Sequence, residues 1–256
     1  MTTTPREAGA STLSTVSNAV EVMEALAGGP ATLRELAALT GLPRQTAYRI
    51  VRTLISHDWV RKESDSDRYR MTYRIWSLAT QAFGQIDVRQ DLREQVRRLA
   101  RVGGETVHLA VYEDGEAVYI DKAEGSEPIC TRTNLGSRAA AHAVSTGKVL
   151  LAFQDHAEQE RVLGEELRAY TEDTVTDPAR LRRQLAQITT RGYGTNSGEW
   201  RPGVGGIAVP ILGPDATVLA ALGFTGPADR VRARQDRLRQ ALEETARSYQ
   251  KSLGAS

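Results

Sequence analysis

A single cysteine, Cys130, leaves this chain no internal disulfide to form. The four histidines do not combine with it at zinc-ligand spacing, so no metal site is expected. No apolar run reaches membrane-spanning length, and residues 1–10 lack the hydrophobic centre of a signal peptide. A cytoplasmic protein with no membrane contact is therefore expected. Charge of one sign is missing as well: 33 Lys and Arg face 32 Asp and Glu, for a net charge of +1. Any affinity for nucleic acid must then come from a local basic surface. No nucleophile elbow is present, and the glycines around Lys148 lack phosphate-loop spacing. Neither an enzyme nor a cofactor is expected.

What the chain does have is 256 residues, 40% of them hydrophobic, enough for one large or two ordinary domains. The most informative stretch runs from Leu42 to Leu54. Pro43 suits the first position of a helix, where its missing N–H costs nothing. Ala47, Ile50, Val51 and Leu54 then recur at three- and four-residue steps and share one face. Arg44, Gln45, Thr46, Tyr48, Arg49 and Arg52 make up the remainder. Arginine pairs with guanine edges and phosphates and glutamine with adenine, so this flank suits a DNA major groove. An ordinary solvated face is the competing reading.

Its surroundings favour DNA. A helix is expected over Ser14–Ala27, with Val16, Val20, Met23 and Leu26 inward, stopped by Gly28-Gly29-Pro30. Thr32 and Glu35 form a capping-box pattern that opens a second helix, with Leu33, Leu36, Ala37 and Leu39 inward and Gly41 at its end. Helix, glycine turn, helix is the helix-turn-helix arrangement. Two short strands, Trp59–Lys62 and Arg68–Met71, then flank a polar tip and read as a hairpin wing. Arg61, Lys62, Arg68 and Arg70 would reach phosphates from it, with Thr32 beside them. These are the candidate DNA-binding residues.

Residues 1–13 read as a flexible arm, 14–73 as the winged helix-turn-helix and 74–87 as a linker helix. The linker's wide apolar stripe, Ile75, Leu78, Ala79, Ala82, Phe83 and Ile86, calls for a partner helix, possibly from a second chain. Residues 88–256 read as α+β: a helix over 91–101, strands 106–112 and 117–122 around Asp114-Gly115, and a third strand at 129–133. A helix over 149–153, a charged helix over 155–168 and a helix from Pro178 to Arg191 follow. A glycine-rich stretch over 192–206, strands 207–212 and 217–224, and a long helix over 229–253 close the chain.

The segments LPRQTAYRIVRTL, RYRMTYR, GETVHLAVYEDGEAVYIDK, LGSR with the later His142 and GKVLLAF, GYGTNSGEWRPGVGGIAVPI and LAALGFTGP resemble the IclR family of bacterial transcriptional regulators, in order and along nearly the whole chain. The resemblance implies an N-terminal winged helix-turn-helix, a dimerising linker helix and a GAF/PAS-like C-terminal domain that binds a small effector. It implies homodimers or dimers of dimers, bound to double-stranded operator DNA, that repress or activate catabolic genes; repression is expected here.

It also points to the effector site. An acidic residue is common in the family where this chain has Asn196, a cysteine where it has Gly206, and serines where it has Gly223 and Thr225. The proline usual before His142 is replaced by alanine. With His108, Cys130, Arg132 and His142 these are the candidate effector contacts. Loss of a thiol and a hydroxymethyl suggests an enlarged, less polar pocket suited to a bulky, possibly aromatic, acid. The alternative is that the two glycines serve close packing. Two other functions stay in view: an enzyme with a fused DNA-binding head, using His142 and Ser145, and a DNA binder that senses nothing.

Overall fold

The computed structural model describes residues 13–83, 88–127 and 133–253. The chain divides into two compact units, Met1–Ile86 and Asp87–Ser256. No described helix is long and apolar enough to cross a membrane. The expected arm up to Thr12, residues 129–132 of the strand expected over 129–133, and with them Cys130 and Arg132 lie outside the described residues; Thr133 is described and is not in a strand.

The first unit holds α1 (Ser14–Ala27), β1 (Ala31–Thr32), α2 (Leu33–Thr40), α3 (Arg44–Ser56), β2 (Val60–Lys62), β3 (Arg68–Met71) and α4 (Arg74–Phe83). Its core is Val22, Leu26, Leu36, Ile50, Val51 and Val60, with Leu33, Leu42 and Leu54 packed at the edge. Two apolar assignments need correcting. Val16 and Val20 are 58% and 49% exposed, because α1 turns Ala19, Val22 and Leu26 inward instead. Leu39 is 68% exposed, and Leu42 from the turn packs on the core in its stead. Pro43 is the N-cap rather than the first helical residue: its ψ is 137° and its carbonyl accepts the Ala47 N–H at 3.0 Å. Gly41 ends α2 in the left-handed region at φ 68°, where glycine avoids a Cβ clash. The wing gains a strand not expected from sequence, because β1 pairs with β3 and makes a sheet of order β1-β3-β2.

In the second unit α5 (Val88–Gly103) leads into β4 (Thr106–Glu113) and β5 (Glu116–Ala123). Asp114 and Gly115 join these strands at φ 51° and 80°, the positive pair a two-residue hairpin needs. Next come β6 (Arg138–Ala140), α6 (Ser145–Ala152), α7 (His156–Gly164) and α8 (Pro178–Arg191), then β7 (Gly194–Ser197), β8 (Val204–Leu212) and β9 (Val218–Pro227). The closing helix is interrupted at Arg234 into α9 (Ala228–Ala233) and α10 (Gln235–Leu253). One antiparallel sheet runs β6-β5-β4-β9-β8-β7. Val107, Leu109, Ile207, Val209, Leu222 and Phe224 pack with the residues of α5 and α10. On the opposite face Ala110, Ala117, Tyr119, Ala208 and Ala221 pack with α6, α7 and α8. Sheet pairing makes strands of β6 and β7, three and four residues long, which are too short and too poor in β-branched or aromatic residues to read as strands alone.

Candidate functional sites

On α3 the division predicted by spacing is physical: Ala47, Ile50 and Val51 are buried, while Arg44, Gln45, Tyr48, Arg49 and Arg52 are exposed and Thr46 is half-buried. Arg52 donates to the Tyr48 hydroxyl at 3.5 Å, which holds two of these side chains together. The wing cations are less free. Lys62 pairs with Asp67 at 2.5 Å, and Arg68 is bound to both Glu35 oxygens (3.0 and 3.2 Å) and to the Pro30 carbonyl (2.9 Å). Arg68 thus ties β3 to the start of α2. The Thr32 hydroxyl is occupied too: it accepts the Glu35 N–H at 3.3 Å and donates to Glu35 Oε2 at 3.1 Å, while the Thr32 backbone N–H donates to the same oxygen at 2.8 Å and completes the capping box. Arg61 is exposed and Arg70 half-buried.

In the second unit, five sequence-predicted residues converge on the sheet face that α6 covers. Asn196, Gly206 and Thr225 are direct cross-strand neighbours, and Thr106 extends their row. Ala208, Gly223 and His108 form the next row. The first turn of α6 lies against both. The Ser145 N–H donates to Asn196 Oδ1 at 3.2 Å, and Thr146 is hydrogen-bonded to the Tyr119 phenol. Val144, the N-cap of α6, contributes no side-chain hydrogen bond. Asn196 Oδ1, from β7, does that work in its place by taking one of the first-turn N–H groups.

His108 is fully buried; its Nδ1 lies 3.3 Å from Thr225 Oγ1 and its ring centroid 4.7 Å from that of Tyr119. Burial first, and the nearby Lys122 charge second, push its pKa down to about 4. Its Nε2 finds no hydrogen-bond partner among the described residues. His142 sits in a different group. Its Nε2–H donates to the Arg168 carbonyl at 3.0 Å, and its ring lies 5.9 Å from Tyr170, which in turn packs on Trp200 at 4.2 Å.

The enlarged pocket does not materialise at the two glycines. A Cβ on Gly206 would come within 2.6 Å of Ser145 Oγ and 2.9 Å of Asn196 Oδ1. One on Gly223 would come within 2.8 Å of Ala208 Cβ and of the Ile207 carbonyl. Neighbouring atoms fill the volume the side chains would have taken, so the close-packing alternative holds.

Sequence reasoning passed over Lys148 and Glu199. Lys148, only 1% exposed, meets Glu199 at 2.5 Å beneath α6. Burial pulls the lysine pKa down and the carboxyl pKa up, and each partner's charge opposes that shift in the other. A lone lysine inside STGKVLLA, an otherwise small and apolar helix, was the available signal. Among the described residues no group of His, Cys, Asp and Glu could hold a metal ion.

A winged helix-turn-helix followed by an α+β domain is the build of a DNA-binding regulator with a sensing domain. Residues 80–251 match the family described as bacterial transcriptional regulator IclR C-terminal, and residues 15–64 match the IclR helix-turn-helix domain. The HTH-type transcriptional regulator XynR of Escherichia coli K12 is 30% identical over 87% of this chain and 89% of its own length. The transcriptional repressor IclR of the same organism is 27% identical over 79% and 75%. Among solved structures, an IclR homolog from Microbacterium hydrocarbonoxydans complexed with 4-hydroxybenzoate is similar with a TM-score of 0.82. It is 28% identical and the match covers 94% of this chain and all of that one. The chain belongs to the IclR family of bacterial transcriptional regulators. It is a regulator and not an enzyme, with a DNA-binding and an effector domain.

Proposed function

We propose that this protein is a cytoplasmic repressor of a catabolic operon, released from its operator by a small, aromatic organic acid. Residues 14–73 read DNA, 74–87 join two chains, and 88–256 hold the effector. Arg44, Gln45, Tyr48 and Arg49 enter the major groove, and Arg61 and Arg70 contact flanking phosphates. The observation that carries this is the split of α3 into a packed apolar face and an exposed face without a carboxylate. The effector reading rests on the polar row of Asn196, Thr225 and Thr106 beside the start of α6, and on the 4-hydroxybenzoate held by the similar Microbacterium protein. A regulator that senses an aromatic acid suits genes that degrade it. Release requires the acid to bind one arrangement of the paired DNA-binding heads more tightly than the other.

Two measurements test this. Fluorescence anisotropy with an operator selected from random duplexes should show about ten- to hundredfold weaker binding for Arg44→Ala and Arg49→Ala at physiological salt. Full affinity in either variant removes that residue from the recognition face. Thermal-shift screening against small carboxylic acids should find stabilisation by aromatic members. If no acid stabilises the protein, a DNA binder that senses nothing is the better reading.

A further inference from the structure

The wing carries four cations and three carboxylates between Arg61 and Arg70, and the fold sorts them. Lys62 is held by Asp67 at 2.5 Å, and the Arg68 guanidinium is spent on Glu35 and the Pro30 carbonyl. Arg61 and Arg70 are direct cross-strand partners on β2 and β3. Neither guanidinium has an ion pair or a hydrogen bond among the described residues. Like charges placed opposite each other work against a strand pair, and an anion lying across both relieves the repulsion. Carboxylates that could do so are near in the chain but are placed elsewhere. Glu63 takes the Ser66 hydroxyl at 2.8 Å, and Asp65 stands exposed in the loop. The Glu63 N–H pairs with the Arg68 carbonyl at 2.9 Å, so the ladder continues past β2. Glu63 therefore lies two residues, about 7 Å, beyond Arg61 on the same face. The hairpin has a positive root and a negative tip.

We propose that the wing meets DNA by its root alone, through Arg61 and Arg70, and that Glu63 and Asp65 hold its tip off the duplex. This rests on the reading that these two arginines contact flanking phosphates. At physiological salt, charges are screened over about 8 Å, so a phosphate seated on the guanidinium pair still repels Glu63. Neither Glu63 nor Asp65 has an ion pair among the described residues to cancel that repulsion. Arginines that touch only phosphates supply affinity without reading bases, and a tip kept out of the groove adds no readout of its own. Sequence is then read by α3, while the wing sets how tightly any duplex is held. The two tip carboxylates keep that sequence-independent affinity down.

The test is fluorescence anisotropy of the full-length protein over a salt series, on the selected operator and on a random-sequence duplex. Glu63→Gln with Asp65→Asn should tighten both complexes by about three- to tenfold at physiological salt, by the same factor for each. Arg61→Ala with Arg70→Ala should weaken both and flatten their salt dependence. Weaker operator binding in the carboxylate variant overturns the proposal, because the tip then makes a favourable contact. Tightening of the operator alone overturns it too, because the tip then reads sequence. No change on either duplex places the tip beyond reach of the phosphates and also overturns it. An arginine variant that binds like wild type, while Arg49→Ala weakens the complex, overturns the root contact and leaves the recognition helix in place. Wild type that selects no duplex overturns the DNA-reading assignment itself. All four side chains lie outside the core of the first unit, and a thermal unfolding midpoint matching wild type checks that each variant is folded.

Discussion

Two glycines show how little a residue's identity says until its neighbours are known. Gly206 and Gly223 stand where the resemblance led us to expect larger side chains, and that difference invites the inference of a roomier pocket. The first turn of α6 and the adjacent strand have instead closed on the sheet, and the nearest approach to a Gly223 Cβ would be a backbone carbonyl and a methyl at 2.8 Å. Backbone cannot move aside as a long side chain can. Gly223→Ser should therefore destabilise the protein by about 1–3 kcal/mol, the usual cost of overpacking, read from chemical denaturation followed by circular dichroism. A variant as stable as wild type would mean that this strand and α6 separate easily. Arg68 teaches the same lesson in the other domain. Its position on the wing suggests a phosphate contact, yet its guanidinium is spent on Glu35 and Pro30.

Helix α6 is the element on which the sensing domain turns. All eight of its residues are buried, including Ser145, Thr146 and Lys148. Its start meets the Asn196 row, and Lys148 holds Glu199 in the loop after β7. Removing one partner strands a charge away from water. Lys148→Met should cost about 3–5 kcal/mol, while Lys148→Met combined with Glu199→Leu should recover most of that loss. A cycle of denaturation measurements on both single variants and the pair checks this, and a double variant no better than Lys148→Met would contradict it. Other elements follow their sequence closely. The α3 stripe, the capping box of α2, the Asp114-Gly115 hairpin and the Pro178 start of α8 are each set by a local rule, and each forms as the rule requires. Strands β1, β6 and β7 were not legible, because each is only two to four residues long and is held by pairing with another strand rather than by a pattern of its own.

For the molecule as a whole, the informative feature is an exposed apolar stripe on the linker. Tyr73 and the α4 residues Ile75, Trp76 and Leu78 are all exposed, an apolar stripe that a lone soluble helix would not keep. Pairing of two linker helices is the proposed use. Ile75→Glu with Trp76→Glu should then shift the protein toward monomer in analytical ultracentrifugation, and weaken operator binding by more than either recognition-helix alanine. A variant that sediments as wild type would place the interface elsewhere.

The sequence alone determined the helix-turn-helix, the wing hairpin and the long helices and central strands of the second domain, because these depend on periodicity, caps and turn residues that act over a few positions; the family was legible from motifs spread along the chain. Only the tertiary structure decided which cations on the wing are already spent, that close packing takes the volume beside Gly206 and Gly223, and that Lys148 is buried against Glu199. Those outcomes depend on which atoms meet across strands and helices distant in the chain, and no local pattern encodes that.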